Sequence, residues 1–208
     1  MRYYMKKTES SLKTIACQEI LNGIIMGEYQ ANQIINEQEL VDKFGFSKTP
    51  IREALATLCN EGVLRNLPRC GYEVVQLTRR DITEALDFRY VIEGGFLRQS
   101  YQTITEEQLE HLYELNELCK SPTGDGWDHW EHNANFHITL LSYAGNDYAC
   151  NQLKKSIGIL KRAYVQLYRD KWGEALMTRG YHDNMLNSIK AKDIDTALEY
   201  LRQELTDY

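Results

Sequence analysis

The sequence predicts a mainly α-helical protein in two parts, and two observations support this fold class. The chain holds only three prolines in 208 residues, and apolar residues recur at helical spacing along most of its length. Such a length allows one large domain or two small ones, each able to bury a core. With 43% hydrophobic and 26% charged residues, the composition is typical of a folded chain rather than a disordered one.

Two helices are expected near the start of the chain. The first runs from Leu12 to Met26, where apolar residues repeat every three or four positions, and Gly27 ends it. The second begins at Asn36, because Glu39 follows three residues later as in a capping box. Gly45 ends this second helix. A long helix and a short one therefore open the N-terminal part.

A third helix and a hairpin complete the N-terminal part. Ser47 is expected to cap this helix, and Pro50 is tolerated in its first turn, where backbone N–H groups lack helical partners. Val63 to Leu67 and Tyr72 to Leu77 have the pattern of two strands joined by a turn. Three helices followed by a hairpin predict an N-terminal winged helix-turn-helix domain in residues 1–77.

The remainder of the chain, residues 78–208, predicts a C-terminal all-α helical bundle. No strand pattern recurs after Thr78, and Gly, Pro and Asn separate helical segments of bundle length. The expected helices lie near residues 79–102, 105–120, 127–145, 147–171, 174–191 and 193–206.

Charge and cysteine content narrow the function classes. The net charge is −6, yet residues 1–80 hold 11 Lys and Arg against 9 Asp and Glu, so the acidic excess lies in the bundle. Five cysteines form no C-x-x-C pair, which indicates reduced, buried thiols rather than disulfides or a thiolate zinc site. The basic start of the chain has no apolar signal core behind it, and no run approaches 18 apolar residues. A soluble cytoplasmic protein is therefore expected.

The third helix has one apolar face and one polar, basic face. The apolar face carries Ile51, Ala54, Leu55 and Leu58, and the opposite face carries Lys48, Thr49, Arg52 and Ala56. A recognition helix needs this division, with donors near its N-terminus to reach phosphates and base edges in the major groove. An ordinary solvated face is the alternative for an isolated helix. The preceding short helix and the following hairpin, with Arg69 at its tip, favour DNA binding.

The segment NEQELVDKFGFSKTPIREALATLCNEGVLRNLPRCGYEVV resembles the winged helix-turn-helix of GntR-family transcriptional regulators. The resemblance covers about residues 12–77, and its most specific pieces are SKTPIREAL, NEGVL and the glycine of the wing. Gln38 and Lys48 stand where many members have arginine, and lysine offers a point charge instead of a bidentate fork. The implied DNA-binding residues, with the hairpin tip included, are Ser47, Lys48, Thr49, Arg52, Arg69 and Gly71.

The bundle resembles the ligand-binding domain called FCD, from the FadR-like branch of the same family. The resemblance covers about residues 79–206, and its markers are FRYVIEG, NFHITLLSYAGN and the spacing of His182, Ile189 and Asp193. Arg89 and Glu93 share an apolar helix face, which is costly unless the two charges are compensated. A self-contained ion pair is one explanation.

An anionic effector held by Arg89 is the other explanation, since the arginine fork matches a carboxylate. In the FCD proteins an arginine of the first bundle helix lines the pocket, and the resemblance therefore implies a small organic acid as effector. The expected effector-binding residues are Arg89, Glu93, Asn133 and Tyr164.

The resemblance also implies a metal site. Metal-binding FCD proteins use an aspartate, a histidine four residues later, another histidine, and a histidine 22 residues after that. The matching positions here hold Asn133, His137, His182 and Glu204, so two of the four ligands are changed. His137, His182 and Glu204 remain a workable set for zinc or nickel, whereas two satisfied core histidines are the alternative.

The function predicted from these features is a bacterial, ligand-responsive transcriptional regulator that binds double-stranded operator DNA as a homodimer. An alternative hypothesis is a helical-bundle metalloenzyme, with Glu93 as base beside His137, His182 and Glu204. No nucleophile or activated-water motif supports that rival, so an enzyme is not expected. An architectural DNA-binding protein without an effector is a second alternative.

Overall fold

The computed structural model describes residues 11–120, 126–168 and 180–206. The chain divides into two compact units, residues 1–77 and 78–208. Within the described residues no helix has the length and apolar character needed to cross a membrane.

The first unit contains three helices and a small antiparallel sheet. The elements are α1 (Leu12–Met26), β1 (Ile34–Ile35), α2 (Glu37–Phe44), α3 (Lys48–Asn60), β2 (Leu64–Leu67) and β3 (Gly71–Val74). Strand β3 lies in the centre, between β1 and β2. The hairpin lies where the sequence predicts it, although β3 ends three residues early, and β1 was not predicted. Two residues are too short for an alternating pattern to indicate a strand.

Capping explains where these helices begin and end. The Glu39 carboxylate accepts hydrogen bonds from the backbone and side-chain N–H groups of Asn36, at 3.5 and 3.2 Å. Gly27 and Gly45 follow α1 and α2 with φ of 76° and 69°, a conformation that costs glycine little. Ser47 occupies the N-cap position of α3, but its side chain makes no capping hydrogen bond. The predicted N-cap position of Ser47 is thus confirmed, without a hydrogen bond from the backbone to its hydroxyl.

The core of the first unit positions α3. Ile51, Ala54 and Leu55 are fully buried and pack with Ala16 and Ile20 of α1. Burial of one side of α3 leaves the opposite side, with its basic residues, facing solvent. The hydrophobic effect thus sets the direction in which Lys48 and Arg52 project.

Six described helices form the second unit. They are α4 (Arg79–Ser100), α5 (Glu106–Lys120), α6 (Gly126–Ser142), α7 (Asp147–Tyr168), α8 (Tyr181–Lys190) and α9 (Ile194–Thr206). Helix α6 ends three residues before the predicted limit of 145. The predicted stretches 169–171 and 174–179 lie outside the described residues.

An apolar core joins α4, α5, α6, α8 and α9. Helix α4 packs against α6, α7 and α9, and α8 packs against α5 and α9. Leu112, Phe136, Met185, Leu186 and Leu201 are almost fully buried between them. Polar side chains on the inward faces of α4, α6, α8 and α9 are therefore carried into one interior.

The expectation of reduced, buried cysteines agrees only in part with the structure. The structure describes all five as free thiols, with Cys119 and Cys150 buried. Cys70 is exposed in the hairpin turn, so burial of every thiol was a wrong expectation.

Candidate functional site

The first candidate site is the exposed side of α3. Ser47, Lys48, Thr49 and Arg52 are all exposed and lie within the first two turns. Free backbone N–H groups and the positive end of the helix dipole lie at this end of α3. The face therefore presents donors and positive charge together, as contact with a phosphate backbone or base edges requires.

Arg52 has an ion-pair partner that the sequence did not predict. Its Nε lies 2.6 Å from Oε2 of Glu37, the first residue of α2. The Arg52 side chain is 64% exposed, whereas that of Glu37 is 21% exposed. The hydrogen bond to Glu37 raises the pKa of Arg52. Sequence patterns place a carboxylate at the start of α2 but do not indicate which cation it meets.

The hairpin tip has an unusual backbone. The N–H of Cys70 donates to the carbonyl of Leu67 at 3.0 Å, which closes a turn with exposed Arg69 at φ 67°. Gly71 has φ 129°, and a Cβ there would lie 2.7 Å from the carbonyl oxygen of Ile35. The close approach of β1 thus explains the glycine, and its expected DNA contact stays a prediction.

The second candidate site is a buried polar cluster formed by Arg89, Glu93, His137, His182 and Glu204. These residues come from α4, α6, α8 and α9, and none is more than 7% exposed. Buried charges are stable only when other groups compensate them.

Glu93 joins two members of this cluster. Its Oε1 accepts a hydrogen bond from Nε of Arg89 at 2.8 Å. Its Oε2 lies 2.6 Å from Nδ1 of His137. The Arg89–Glu93 pair is therefore not self-contained, because the carboxylate also orients a histidine. Sequence spacing suggested the ion pair as one of two explanations and did not indicate the third partner.

Both histidines direct the same ring nitrogen toward Glu204. Nδ1 of His182 lies 3.2 Å from Oδ1 of Asn116, and Nδ1 of His137 faces Glu93, so each Nδ1–H has an acceptor. The two Nε2 atoms are 3.4 Å apart and lie 3.0 Å (His137) and 2.8 Å (His182) from Oε1 of Glu204. Hydrogen bonds of this kind fix the tautomer of metal-binding histidines.

The ring of His182 is also held by packing. Phe136 stacks on it with ring centroids 3.8 Å apart and an angle of 16° between the planes. Asn116 is 1% exposed and lies among apolar residues of α5. Its Nδ2 donates to Asp183 at 2.9 Å, and Lys120 binds the same carboxylate oxygen at 2.7 Å. A chain of hydrogen bonds thus runs from the cluster to the surface.

The donor set fits a divalent metal. One ligand atom from each of His137, His182 and Glu204 lies within 4.8 Å of the others. Oε2 of Glu204 is buried and accepts no hydrogen bond from any described residue. Nδ2 of Asn133 lies 3.2 Å from Oε1 of Glu204, and rotation of the amide by 180° would direct its oxygen there. A cation between these atoms would satisfy the buried oxygen.

The charges in the cluster perturb one another. Burial lowers the pKa of His137, but Glu93 and Glu204 outweigh it and raise that pKa to about 9. Burial raises the pKa of Glu204, but His182 and His137 hold it well below its usual value. A proton on His137 therefore compensates the two carboxylates when no metal is bound.

Tyr164, the remaining residue expected to bind an effector, is buried on α7. Its ring centroid lies 5.7 Å from those of Trp130 and Tyr168. Trp130 precedes Asn133 by one turn on α6. Tyr164 thus belongs to an aromatic group next to the helix that carries Asn133 and His137.

Both units match known families. Residues 13–74 match the family described as bacterial regulatory proteins, gntR family. Residues 84–207, which are more than half of the chain, match the FCD domain.

Similar proteins cover most of the chain. The gluconate operon transcriptional repressor of Bacillus licheniformis is 29% identical over 200 residues, 93% of this chain and 81% of the repressor. The repressor GlaR of Escherichia coli K12 is 23% identical, and the match covers 88% of each protein. The structure of E. coli McbR/YncC superposes with a TM-score of 0.75 at 20% identity, covering 94% of this chain and 93% of McbR. Lar, whose structure is described as that of a regulator of the Listeria monocytogenes agr system, gives 0.67 at 18% identity and the same coverage. These two structures share the fold.

The matches decide between the functions predicted above. Both families consist of regulators rather than enzymes, so the metalloenzyme alternative is wrong. Glu93, the base in that alternative, already holds Arg89 and His137 with its two oxygens. The predicted fold class and the family resemblance are confirmed. The chain is a transcriptional regulator that belongs to the GntR family and carries an FCD domain.

Proposed function

We propose that this regulator binds operator DNA as a homodimer and that a small organic acid, with a divalent metal, changes its DNA affinity from within the bundle. The observation that carries the sensing role is the buried polar cluster. Two oriented imidazoles and a carboxylate converge there on one point. A core that served only stability would gain from apolar residues in these positions.

The proposed DNA contacts lie on α3 and at the hairpin tip. Ser47, Lys48, Thr49 and Arg52 enter the major groove, and Arg69 reaches the backbone or the minor groove beside it. Exposure of these residues on one side of α3 supports the assignment, because the opposite side is fully buried. Gly71 lets β3 approach β1 closely, and its backbone is proposed to contact the DNA beside Arg69.

The proposed metal ligands are His137, His182 and Glu204, with Asn133 as a fourth oxygen donor. Zinc or nickel held by these residues would act as a Lewis acid toward an oxygen of the effector. Asn133 is neutral, but the carboxylate of Glu204 brings the negative charge that the metal needs. Glu93 and Asn116 hold the two imidazoles by their Nδ1 atoms, so their Nε2 atoms keep one direction.

The proposed effector is a small carboxylate, such as a sugar acid. The carboxylate of Glu93 joins the guanidinium of Arg89 to His137, one of the proposed metal ligands. This guanidinium has the planar geometry that binds carboxylates. Asn133, Glu93 and Tyr164 complete the set proposed for effector binding. The gluconate operon repressor is similar over most of the chain, which makes gluconate the first acid to test.

The proposed homodimer follows from the size of one recognition module. A single winged helix distinguishes its site too weakly from the many competing sites of a genome. Two half-sites, bound by two copies of the chain, supply the missing specificity. Phe88 and Val91 are exposed on one side of α4, at 40% and 67%. A groove next to them carries Glu84 on α4 and Lys155 on α7, so opposite charges are available to a second copy.

DNA selection tests the proposed function. The full chain is incubated with random duplexes of roughly 30 base pairs, long enough for two half-sites, and the bound duplexes are sequenced. Wild type should enrich one pseudo-palindromic site, and its affinity should fall steeply with salt, with a slope of about −0.9 for each phosphate contact. Arg52→Ala should lose that site with unchanged helix content.

Arg202→Ala is the matched control, because Nε of Arg202 also binds a glutamate, Glu199, at 2.9 Å in the other unit. This variant should enrich the wild-type site. Wild-type affinity of Arg52→Ala for that site would reject the proposed face, and absence of any enriched site with wild type would reject the proposed function.

A further inference from the structure

The Arg52–Glu37 ion pair joins the proposed DNA-reading face to the start of α2. Nε of Arg52 binds Oε2 of Glu37 at 2.6 Å. Glu37 is the better covered partner, and as the first residue of α2 it lies at the favourable end of the helix dipole. The more exposed guanidinium is therefore anchored by a carboxylate on a fixed element.

Anchoring through Nε orients the guanidinium. Arginine has five N–H donors in one plane, and only one of them is on Nε. A hydrogen bond at Nε fixes that plane while the two terminal nitrogens keep the spacing that fits O6 and N7 of guanine. Arg52 thus keeps the donor pair that reads a base edge, in a geometry set before DNA arrives.

The carboxylate also changes what Arg52 attracts. A phosphate that approaches Arg52 meets the negative charge of Glu37 beside it, and the attraction to the guanidinium is largely cancelled. A guanine edge carries no net charge and loses much less. The pair therefore favours base contacts over phosphate contacts, which carry no sequence information.

We propose that Glu37 is a specificity-determining positioning residue, which directs Arg52 to a base edge and suppresses its binding to phosphate. This inference rests on the proposed DNA-binding face. Lys48, which offers three rotatable donors on a flexible stem, lacks the planar fork that such anchoring orients.

The test compares Glu37→Gln with wild type on two duplexes. One is the duplex that wild type enriches, and the other is a scrambled duplex of equal length and composition. Glu37→Gln should bind the scrambled duplex more tightly, with a salt slope steeper by up to about 0.9, since one positive charge becomes available to phosphate. Its ratio of specific to scrambled affinity should fall by about 5-fold or more, since the base contact loses its fixed geometry.

Two variants control the test. Glu199→Gln removes the same charge from another arginine–glutamate pair, since its carboxylate binds Nε of Arg202 at 2.9 Å, and it should leave slope and ratio at wild-type values. Arg52→Lys keeps the positive charge but not the planar pair of donors. Its ratio of specific to scrambled affinity should therefore fall, while its affinity for the scrambled duplex stays at the wild-type value. Circular dichroism verifies the fold of each variant.

Two outcomes overturn the inference. In one, Glu37→Gln keeps the wild-type slope and ratio. In the other, it tightens binding to both duplexes equally, which would mean that Glu37 only repels DNA. A wild-type chain that does not distinguish the two duplexes would instead reject the proposed function, independently of Glu37.

Discussion

Arg69 holds a backbone conformation that few residues other than glycine adopt. Pro68 precedes it in the turn, and its φ of 67° is the one that the third residue of a type II turn requires. An arginine in this conformation costs roughly 1 to 2 kcal/mol. An arginine at this strained, exposed position supports the proposed DNA contact, because backbone strain is more common at functional sites than elsewhere.

Two substitutions of Arg69 separate the fold from the function. Arg69→Gly and Arg69→Ala both remove the guanidinium and should weaken operator binding equally. Only Arg69→Gly relieves the backbone, so its free energy of unfolding should exceed that of Arg69→Ala by about 1 kcal/mol. Denaturant unfolding and duplex titration measure the two effects. Wild-type operator affinity in both variants would remove Arg69 from the DNA-binding set.

The metal ligands give a second prediction for single residues. Protein purified without chelator or affinity-tag metal should contain about one zinc or nickel per chain, and His137→Ala should lose it. Asn116→Ala leaves Nδ1 of His182 without its acceptor, so metal affinity should fall by about 10- to 100-fold. Exposed His111 provides the control, and His111→Ala should bind metal as wild type does.

Elemental analysis and competition with a chromophoric chelator measure occupancy and affinity. Stoichiometric metal in His137→Ala would show that the ligand set is wrong. Wild-type affinity in Asn116→Ala would remove the positioning role of Asn116.

At the scale of elements, α4 begins with a reciprocal cap that supports the helix carrying Arg89 and Glu93. The backbone N–H of Thr78 donates to Asp81 at 2.7 Å, and the N–H of Asp81 donates to the Thr78 hydroxyl at 3.4 Å. Hydrogen bonds from the side chain and backbone of Thr78 lower the pKa of Asp81. The cap therefore depends on an ionised carboxylate.

Removal of this cap should weaken the bundle. Asp81→Ala is expected to lower the free energy of unfolding by about 1 kcal/mol at neutral pH. Because the folded pKa is the lower one, the contribution is present above the unfolded pKa of about 4 and disappears as the pH falls through the folded value. Asp87→Ala, an exposed acid of the same helix, should cost little. Equal unfolding curves for the two variants at pH 7 would contradict the prediction.

Helix periodicity and end signals predicted most elements to within a few residues. The start of α1 at Leu12 agrees with the apolar periodicity, and in the structure Ser11 and Thr78 accept hydrogen bonds from backbone N–H groups in the first turns of α1 and α4. Strand β1 escaped prediction because its two residues form a strand only by pairing with β3. Ser47 takes the predicted N-cap position of α3, but residue preference does not determine whether its hydroxyl accepts a capping hydrogen bond.

At the scale of the molecule, the buried polar cluster shows which contacts the sequence alone does not predict. Arg89 and Glu93 were recognised as polar side chains on an apolar helix face. His137, His182 and Glu204 were recognised by their match to the metal-ligand positions of the FCD proteins. Their mutual contacts depend on how four helices pack, which periodicity within each helix does not specify. Asn116 was overlooked because an asparagine among leucines resembles an ordinary polar residue until His182 is seen beside it.

Assembly gives a prediction for the whole molecule. The full chain should be a dimer at micromolar concentration, as light scattering measures it. Val91→Glu places a charge on the exposed apolar side of α4 and should yield monomers with weak operator binding. Leu118→Glu is the control, because Leu118 is a 45% exposed apolar residue of α5, outside the proposed interface. A wild-type chain that stays monomeric with and without DNA would contradict the homodimer.

The central claim is that the bundle site controls DNA binding, and operator affinity measured with and without carboxylates tests it most directly. Zinc-loaded protein is titrated with the enriched duplex in the presence of gluconate and a panel of other small acids. At least one acid should change the Kd by about 5- to 150-fold, the usual range for coupled sites, and His137→Ala should abolish that change. The same Kd with every acid, and also after removal of the metal, would contradict the account and favour an architectural DNA-binding protein.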